Sequence, residues 1–327
     1  MRTKAVLLVM VVIAVGGWVK DGKCQLTDLD TLPIQGEYSG ELPLDGVDLK
    51  IGAQLVDVGN GEFRITMYGG GLPGDGWEKD DEDARKELGP AKFQDGKLSF
   101  AEKKYRIEYE NEKITVYVDE KLVGHLKRVE RESPTLNQSP PAGALVLFDG
   151  TSGDRFERFR AEGDPMADGL LRQGINSKDK FDGDFTLHIE FKLPFEPTQS
   201  GQGRGNSGIY VQGRYEVQML DSFGLSGEHN ECGGIYSVKK PDENMCFPPE
   251  SWQTYDIDFK SARWEDGKKI ENARMTVRHN GVLIHDDVEV PKTTTAAPTQ
   301  ESAEPGFIYL QDHGSPVRYR NIWVLKK

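Results

Sequence analysis

The sequence predicts an all-β protein: a small unit of paired strands followed by a larger antiparallel sandwich. Three observations predict it. Apolar residues alternate in short runs, as in Ile209, Val211, Val217 and Met219, instead of recurring at helical spacing. The runs are punctuated by turn formers, with 37 glycines and 17 prolines in 327 residues. Residues 144–327 hold too many such strands for one sheet to bury both faces, which implies two packed sheets.

The first 25 residues read as an export signal. Arg2 and Lys4 precede an apolar run from Ala5 to Val15 that is short for a bilayer span. Export to a periplasm or the extracellular space is the expectation, with an uncleaved anchor as the alternative. Residues 26–131 form the small unit. "VDVGNGEFRITMY" reads as a hairpin around Gly59–Gly61, and the charged stretch Glu82 to Leu88 is the one candidate helix. The glycine-rich loop ending at Trp77 either presents that ring to a ligand or packs it. Residues 132–143 are Pro/Ser-rich, a linker with little means of packing, so the two units are expected to fold independently. Within residues 144–327, Pro291 to Pro305 reads as an unstructured insertion without chemistry.

A net charge of −13 and a pI near 5.1 argue against nucleic acid or an anionic membrane as partner, since phosphate binding draws on lysine and arginine. Beyond the leader only Cys232 and Cys246 remain, a pair that suits one disulfide in an exported chain, with two free thiols as the alternative. The stretch from Gly203 fits G-x-G-x-x-G. It leads into a strand, whereas a dinucleotide fingerprint must open a helix. His229 with Glu228 and Glu231, and His285 with Asp286 and Asp287, lack the spacing of a metal site, so no metal or other cofactor is predicted.

With Ile209, Val211, Val217 and Met219 facing the core, Tyr210, Gln212, Arg214, Glu216 and Gln218 share the outer face. These long hydrogen-bonding side chains suit the hydroxyls and ring of a sugar. By the same parity Trp252, and Tyr309 with Gln311 and His313, would join them if their strands lie in the same sheet. A surface salt bridge between Arg214 and Glu216 is the plain alternative.

"LVLFDGTSGDRF", "GNSGIYVQGRYEVQMLDS", "CGGIYSVKKPDENMCFPPESWQTYDIDF", "VRHNGVLIHDDVEV" and "GFIYLQDHGSPVRYRNIWV", in this order, closely resemble the 3-keto-disaccharide hydrolase domain. The resemblance covers residues 144–327. It implies a concanavalin-like jelly-roll sandwich similar to laminarinase-type glucanases, and action on glycosides oxidised to a ketone at C3. Such a ketone acidifies the C2 proton, so a base can form the enolate, the C1 substituent leaves, and water adds to the double bond. Glu216 is then the expected base or acid, His313 the second proton-transfer group, and Asp221 a further candidate. Asn206, Tyr210, Gln212, Arg214, Gln218, Trp252 and Gln311 would bind the sugar. The substrate would be supplied by a glycoside 3-dehydrogenase. A carbohydrate-binding module without turnover is the rival reading.

Overall fold

The computed structural model describes residues 28–44, 46–79 and 84–327; the leader and Cys24 lie outside them. No helix among the described residues is long and apolar enough to cross a membrane. The N-terminal unit is one antiparallel meander: β1 (Gly36–Leu44), β2 (Val47–Asp57), β3 (Glu62–Gly69), β4 (Arg85–Lys92), β5 (Lys97–Glu102), β6 (Tyr105–Glu110), β7 (Lys113–Val118) and β8 (Lys121–Val129). Its order is β4-β3-β2-β1-β8-β7-β6-β5, and β1 pairs β8 through Glu37 and Val129. First and last strands therefore meet, and the sheet curls around its own core of Tyr38, Leu55, Phe63, Ile65, Ile114 and Leu126. Of the charged stretch Glu82 to Leu88, Glu82 and Asp83 lie outside the described residues, and the described part from Arg85 is strand, not helix. Strand β4 starts there at Arg85, because Leu88 pairs with Ile65 and buries its side chain, a tertiary gain that overrides local composition. Trp77 is buried edge-on against Tyr68, 5.2 Å between ring centres, and so is a packed ring of its loop.

The second unit contains β9 (Leu145–Phe148), β10 (Phe156–Arg158), β11 (Met166–Ala167), β12 (Leu170–Arg172), β13 (Ile175–Phe181), β14 (Phe185–Lys192), β15 (Ser207–Val211) and β16 (Tyr215–Met219). It continues with β17 (Trp252–Lys260), β18 (Arg263–Glu265), β19 (Lys268–Glu271), β20 (Ala273–His279), β21 (Val282–Val290), β22 (Gly306–Leu310) and β23 (Arg318–Lys326). Two antiparallel sheets face each other: β10-β13-β22-β15-β16, and β11-β12-β23-β14-β17-β20-β21 with β9 on β23. The predicted parity holds. Ile209, Val211, Val217, Met219, Ile308 and Leu310 of the smaller sheet meet Tyr255, Ile257 and Phe259 of the larger in one core. The chain is thus an all-β jelly-roll sandwich preceded by a small β unit.

The segment between the last strand of the first unit and β9, expected to have little means of packing, packs. Ser133 is buried with its hydroxyl 2.6 Å from Thr254 Oγ1, Thr135 Oγ1 donates to Asp256 (2.8 Å), and the Asn137 N–H donates to Glu190 (2.5 Å). Serine and threonine hydroxyls supply the means of packing that apolar composition lacks. The units also touch directly. Thr66 Oγ1 and Arg85 both donate to Gly224 O (3.0 Å each), and Arg204 donates to Asp57 O (2.9 Å).

Candidate active site

Antiparallel register sets one row of residues across the outer face of the five-stranded sheet. Glu157 pairs with Asn176, Asn176 with Tyr309, Tyr309 with Tyr210, and Tyr210 with Glu216. The row runs from exposed Glu157 on one edge strand to a buried carboxyl on the other. Along it Asn176 Nδ2 donates to Glu157 (3.0 Å), the Tyr309 and Tyr210 rings lie 5.6 Å apart, and Tyr210 Oη lies 2.7 Å from Glu216 Oε2. Phe159 packs on Tyr309 from the exposed side, 4.6 Å between ring centres.

Glu216 is 2% exposed. Its neighbour Gly208 has no side chain, and a Cβ there would sit 2.1 Å from Glu216 Oε1, so the glycine makes the hollow that holds the carboxyl. Burial pushes the carboxyl up to about 8, and the hydrogen bond from Tyr210 offsets that only in part. Tyr210 is itself raised, by burial and by the neighbouring carboxylate. The Tyr210 oxygen also lies 2.9 Å from Thr295 O and accepts from Gln311 Nε2 (3.1 Å). One hydroxyl has one proton. When Glu216 is ionised Tyr210 donates to it; when Glu216 is protonated it can donate to Tyr210, which turns its own proton to Thr295 O. With its amide nitrogen toward the acceptors, Gln218 donates to Glu216 Oε1 (3.2 Å) and Ser207 O (2.6 Å). The cluster can therefore hold a proton near neutral pH and release it slightly above.

The insertion from Pro291 to Pro305, expected to be unstructured, is a strap tied over this face. Thr294 accepts from the Glu216 N–H (3.0 Å) and its own N–H donates to Arg214 O (3.0 Å). Arg214 donates to Gln300 O (3.0 Å), Ser302 Oγ (2.8 Å) and Glu304 O (2.8 Å). These bonds explain why a face predicted to be open is buried. They also fix the role of two predicted sugar ligands. Val211 pairs with Tyr215, so Gln212 and Arg214 belong to the turn between β15 and β16 instead of its strands. Gln212 donates to Phe181 O (3.0 Å) and accepts from Arg214 (3.1 Å), so Arg214 holds the strap and Gln212 the turn.

The remaining predicted residues divide. Asn206 is buried and donates to Gln202 O (2.7 Å), beside the Glu216 cluster. Gln311 is half-buried at its outer margin, and His313 lies two residues further on an exposed turn. Asp221 turns away and pairs with Arg204 (2.6 Å). Trp252 lies on β17 in the opposite sheet, under Arg320 (4.0 Å from the ring centre), so parity alone placed it on the wrong face. His285 is buried, lowered to about 4 by burial, and donates to Gly233 O (2.7 Å); no three metal-ligating side chains converge among the described residues. Cys232 and Cys246 are free, not the predicted disulfide: both are buried in the sandwich core as small apolar side chains, with Cys232 Sγ 3.2 Å from Tyr255 Oη. Sequence reasoning missed Asn176, Gly208, Thr294 and Thr295, whose places depend on strand order.

The fold and this cluster define a β-sandwich protein with a buried, raised carboxyl on the outer face of its smaller sheet. Residues 143–325 match the family described as the 3-keto-alpha-glucoside-1,2-lyase-like domain, and the chain belongs to that family of glycoside-cleaving enzymes. The crystal structure of a "putative glycosyl hydrolase" from Parabacteroides distasonis is 33% identical, covers 58% of this chain and 86% of its own, and superposes with a TM-score of 0.51. A second protein of that description from the same organism is 18% identical over 57% of this chain and 94% of its own, with a TM-score of 0.40. No curated protein matches the chain.

Proposed function

We propose that the protein is exported and cleaves glycosides already oxidised to a ketone at C3, with Glu216 moving the C2 proton. The observation that carries this reading is the buried Glu216 carboxyl, raised to about 8 and bonded to Tyr210. A base for an acidified carbon proton works best with a pKa near the operating pH. Glu216 takes the proton from C2, and the C–H electrons form the enolate with the C3 ketone. The C1–O bond then breaks, the electrons closing the C1=C2 double bond, and the leaving oxygen takes a proton for which His313 is the outlying donor. Water adds its oxygen at C1 and gives its spare proton to the group that protonated the leaving oxygen, while Glu216 returns its proton to C2. The amides of Asn206, Gln218 and Gln311 are the groups beside Glu216 suited to sugar hydroxyls. A glycoside 3-dehydrogenase would supply the ketone.

Turnover of 3-keto-trehalose in heavy water tests the chemistry by mass spectrometry. Deuterium at C2 of the released 3-keto-glucose, after correction for exchange of the free product, is the expected result. Saturable binding of the ketosugar without turnover would instead favour the carbohydrate-binding module.

A further inference from the structure

The N-terminal barrel is filled at one end only. Around Tyr38, Phe63, Phe93 and Tyr109 the rings pack against one another, with centres 6.0 to 6.5 Å apart, and close the floor. Toward the β1–β2 and β7–β8 turns the interior opens into a cavity of about 550 Å³. Leu42, Ile51, Met67, Leu88, Ile107 and Val116 line it, all inward residues of the meander. The rim is apolar as well: Leu49 on the lining and Val47, paired with the lining residue Leu44, are 40% and 67% exposed, two of the five large apolar side chains that the described residues leave open to water. Exposed apolar groups concentrated at the mouth of an apolar cup mark a binding site more than a folding requirement.

The charge beside the mouth narrows the ligand. Tyr105 lines the cavity, with Lys86 Nζ 5.4 Å and Lys104 Nζ 5.3 Å from its ring centre. Glu102 pairs with Lys86 (3.1 Å), and the Lys104 ammonium stands over the same Tyr105 ring. Among the described residues Glu78 is the carboxylate on the cavity lining.

We propose that the barrel binds one molecule of a single-chain fatty carboxylate, its chain in the cup and its carboxylate among Lys86, Lys104 and Tyr105. A benzene-sized guest fits a cavity of about 150 Å³, so this one suits a chain on the order of twelve carbons. The site is separate from Glu216 and does not depend on the reaction there. Calorimetric titration of the full chain with octanoate, decanoate and dodecanoate below their micellar concentrations tests it. One site per chain is expected, tightening roughly ten-fold for each two added carbons. Met67→Trp, which fills the cup, and Val118→Asp, which charges its half-buried wall, should each weaken dodecanoate at least ten-fold in protein that retains its circular dichroism. Lys104→Glu should weaken dodecanoate several-fold and leave dodecanol unchanged. Absence of saturable binding, several loosely bound molecules per chain, no dependence on chain length, or undiminished binding to Met67→Trp would overturn the proposal.

Discussion

Glu216 and Glu190 occupy matching places on the two sheets of the sandwich and behave in opposite ways. Each lies on the outer face of its sheet, is at most 2% exposed, and is covered by a segment the sequence marks as irregular. Glu190 accepts from Arg320 Nε (2.6 Å), Asn321 Nδ2 (2.8 Å) and the Asn137 N–H (2.5 Å). Burial alone would raise it; His188 and these donors outweigh burial and hold it at about 2. Glu216 has burial with little more than Tyr210 against it, and stands at about 8. Burial therefore does not decide what a carboxyl does. The number and charge of its donors do. A fully answered carboxylate fastens the segment between the units to the larger sheet, while an under-answered one can exchange a proton with a substrate.

The contrast predicts opposite failures on substitution. Glu216→Gln keeps size and hydrogen bonding but removes the base, so turnover of a 3-keto-disaccharide should fall roughly 10²- to 10⁴-fold with ligand affinity little changed. Steady-state kinetics and calorimetry on one preparation separate the two quantities, and undiminished turnover would move the proton transfer elsewhere, with His313 next. Glu190→Ala should do the reverse. It leaves Arg320 without its carboxylate, while His188 keeps Asp256 (2.6 Å), and should cost about 3 kcal/mol in urea unfolding, while the folded fraction turns over normally.

The pH dependence separates the pair again. Glu216 is raised from 4.5 to about 8, so its protonated form favours the folded state. That contribution is complete below 4.5 and is lost as pH rises through 8, on the order of a few kcal/mol. The melting temperature of the natural protein relative to Glu216→Gln should decline between pH 5 and 9. Glu190 is lowered from 4.5 to about 2, so its contribution is present above 4.5 and disappears as pH falls through 2. Relative to Glu190→Gln, the natural protein should lose its advantage between pH 5 and 2. Because the base must be ionised, kcat/KM should rise with pH to a plateau above about 8. A flat profile from pH 6 to 9 would contradict Glu216 as base.

Much of the fold was legible because period-two alternation is a local signal. It assigned the core-facing residues Ile209, Val211, Val217 and Met219, and with them Glu216 to an outer face. Strand order is not local. Nothing in "WQTYDIDF" says that β17 lies in the opposite sheet, so Trp252 was grouped with side chains it never meets. The straps were misread for a related reason. Low apolar content in Pro291 to Pro305 and in residues 132–143 signals weak hydrophobic packing, but these segments are held by threonine and serine hydroxyls, backbone groups and Arg214. Such partners become visible only once distant strands are side by side. The value of Glu216 was hidden with them, since it depends on how few donors the strap supplies.

The smallest effect is expected at Gln311, the outermost group of the Glu216 cluster. Its Nε2 donates to Tyr210 Oη (3.1 Å), and the side chain is half-buried, so water can take its place in Gln311→Ala. The loss should then be that of one neutral hydrogen bond, about 1 kcal/mol, and kcat/KM should fall by at most about ten-fold. Removing a donor from the Tyr210 oxygen also weakens its hydroxyl as a donor to Glu216, so the rising limb of the pH profile should move slightly upward. Glu190 has no contact with Gln311, and acid stability between pH 5 and 2 should not change. The double variant Glu216→Gln/Gln311→Ala completes the test. If Gln311 acts through Tyr210 on the carboxyl, its removal should cost almost nothing once Glu216 has been replaced. A full ten-fold loss in that background would mean instead that Gln311 contacts the sugar directly.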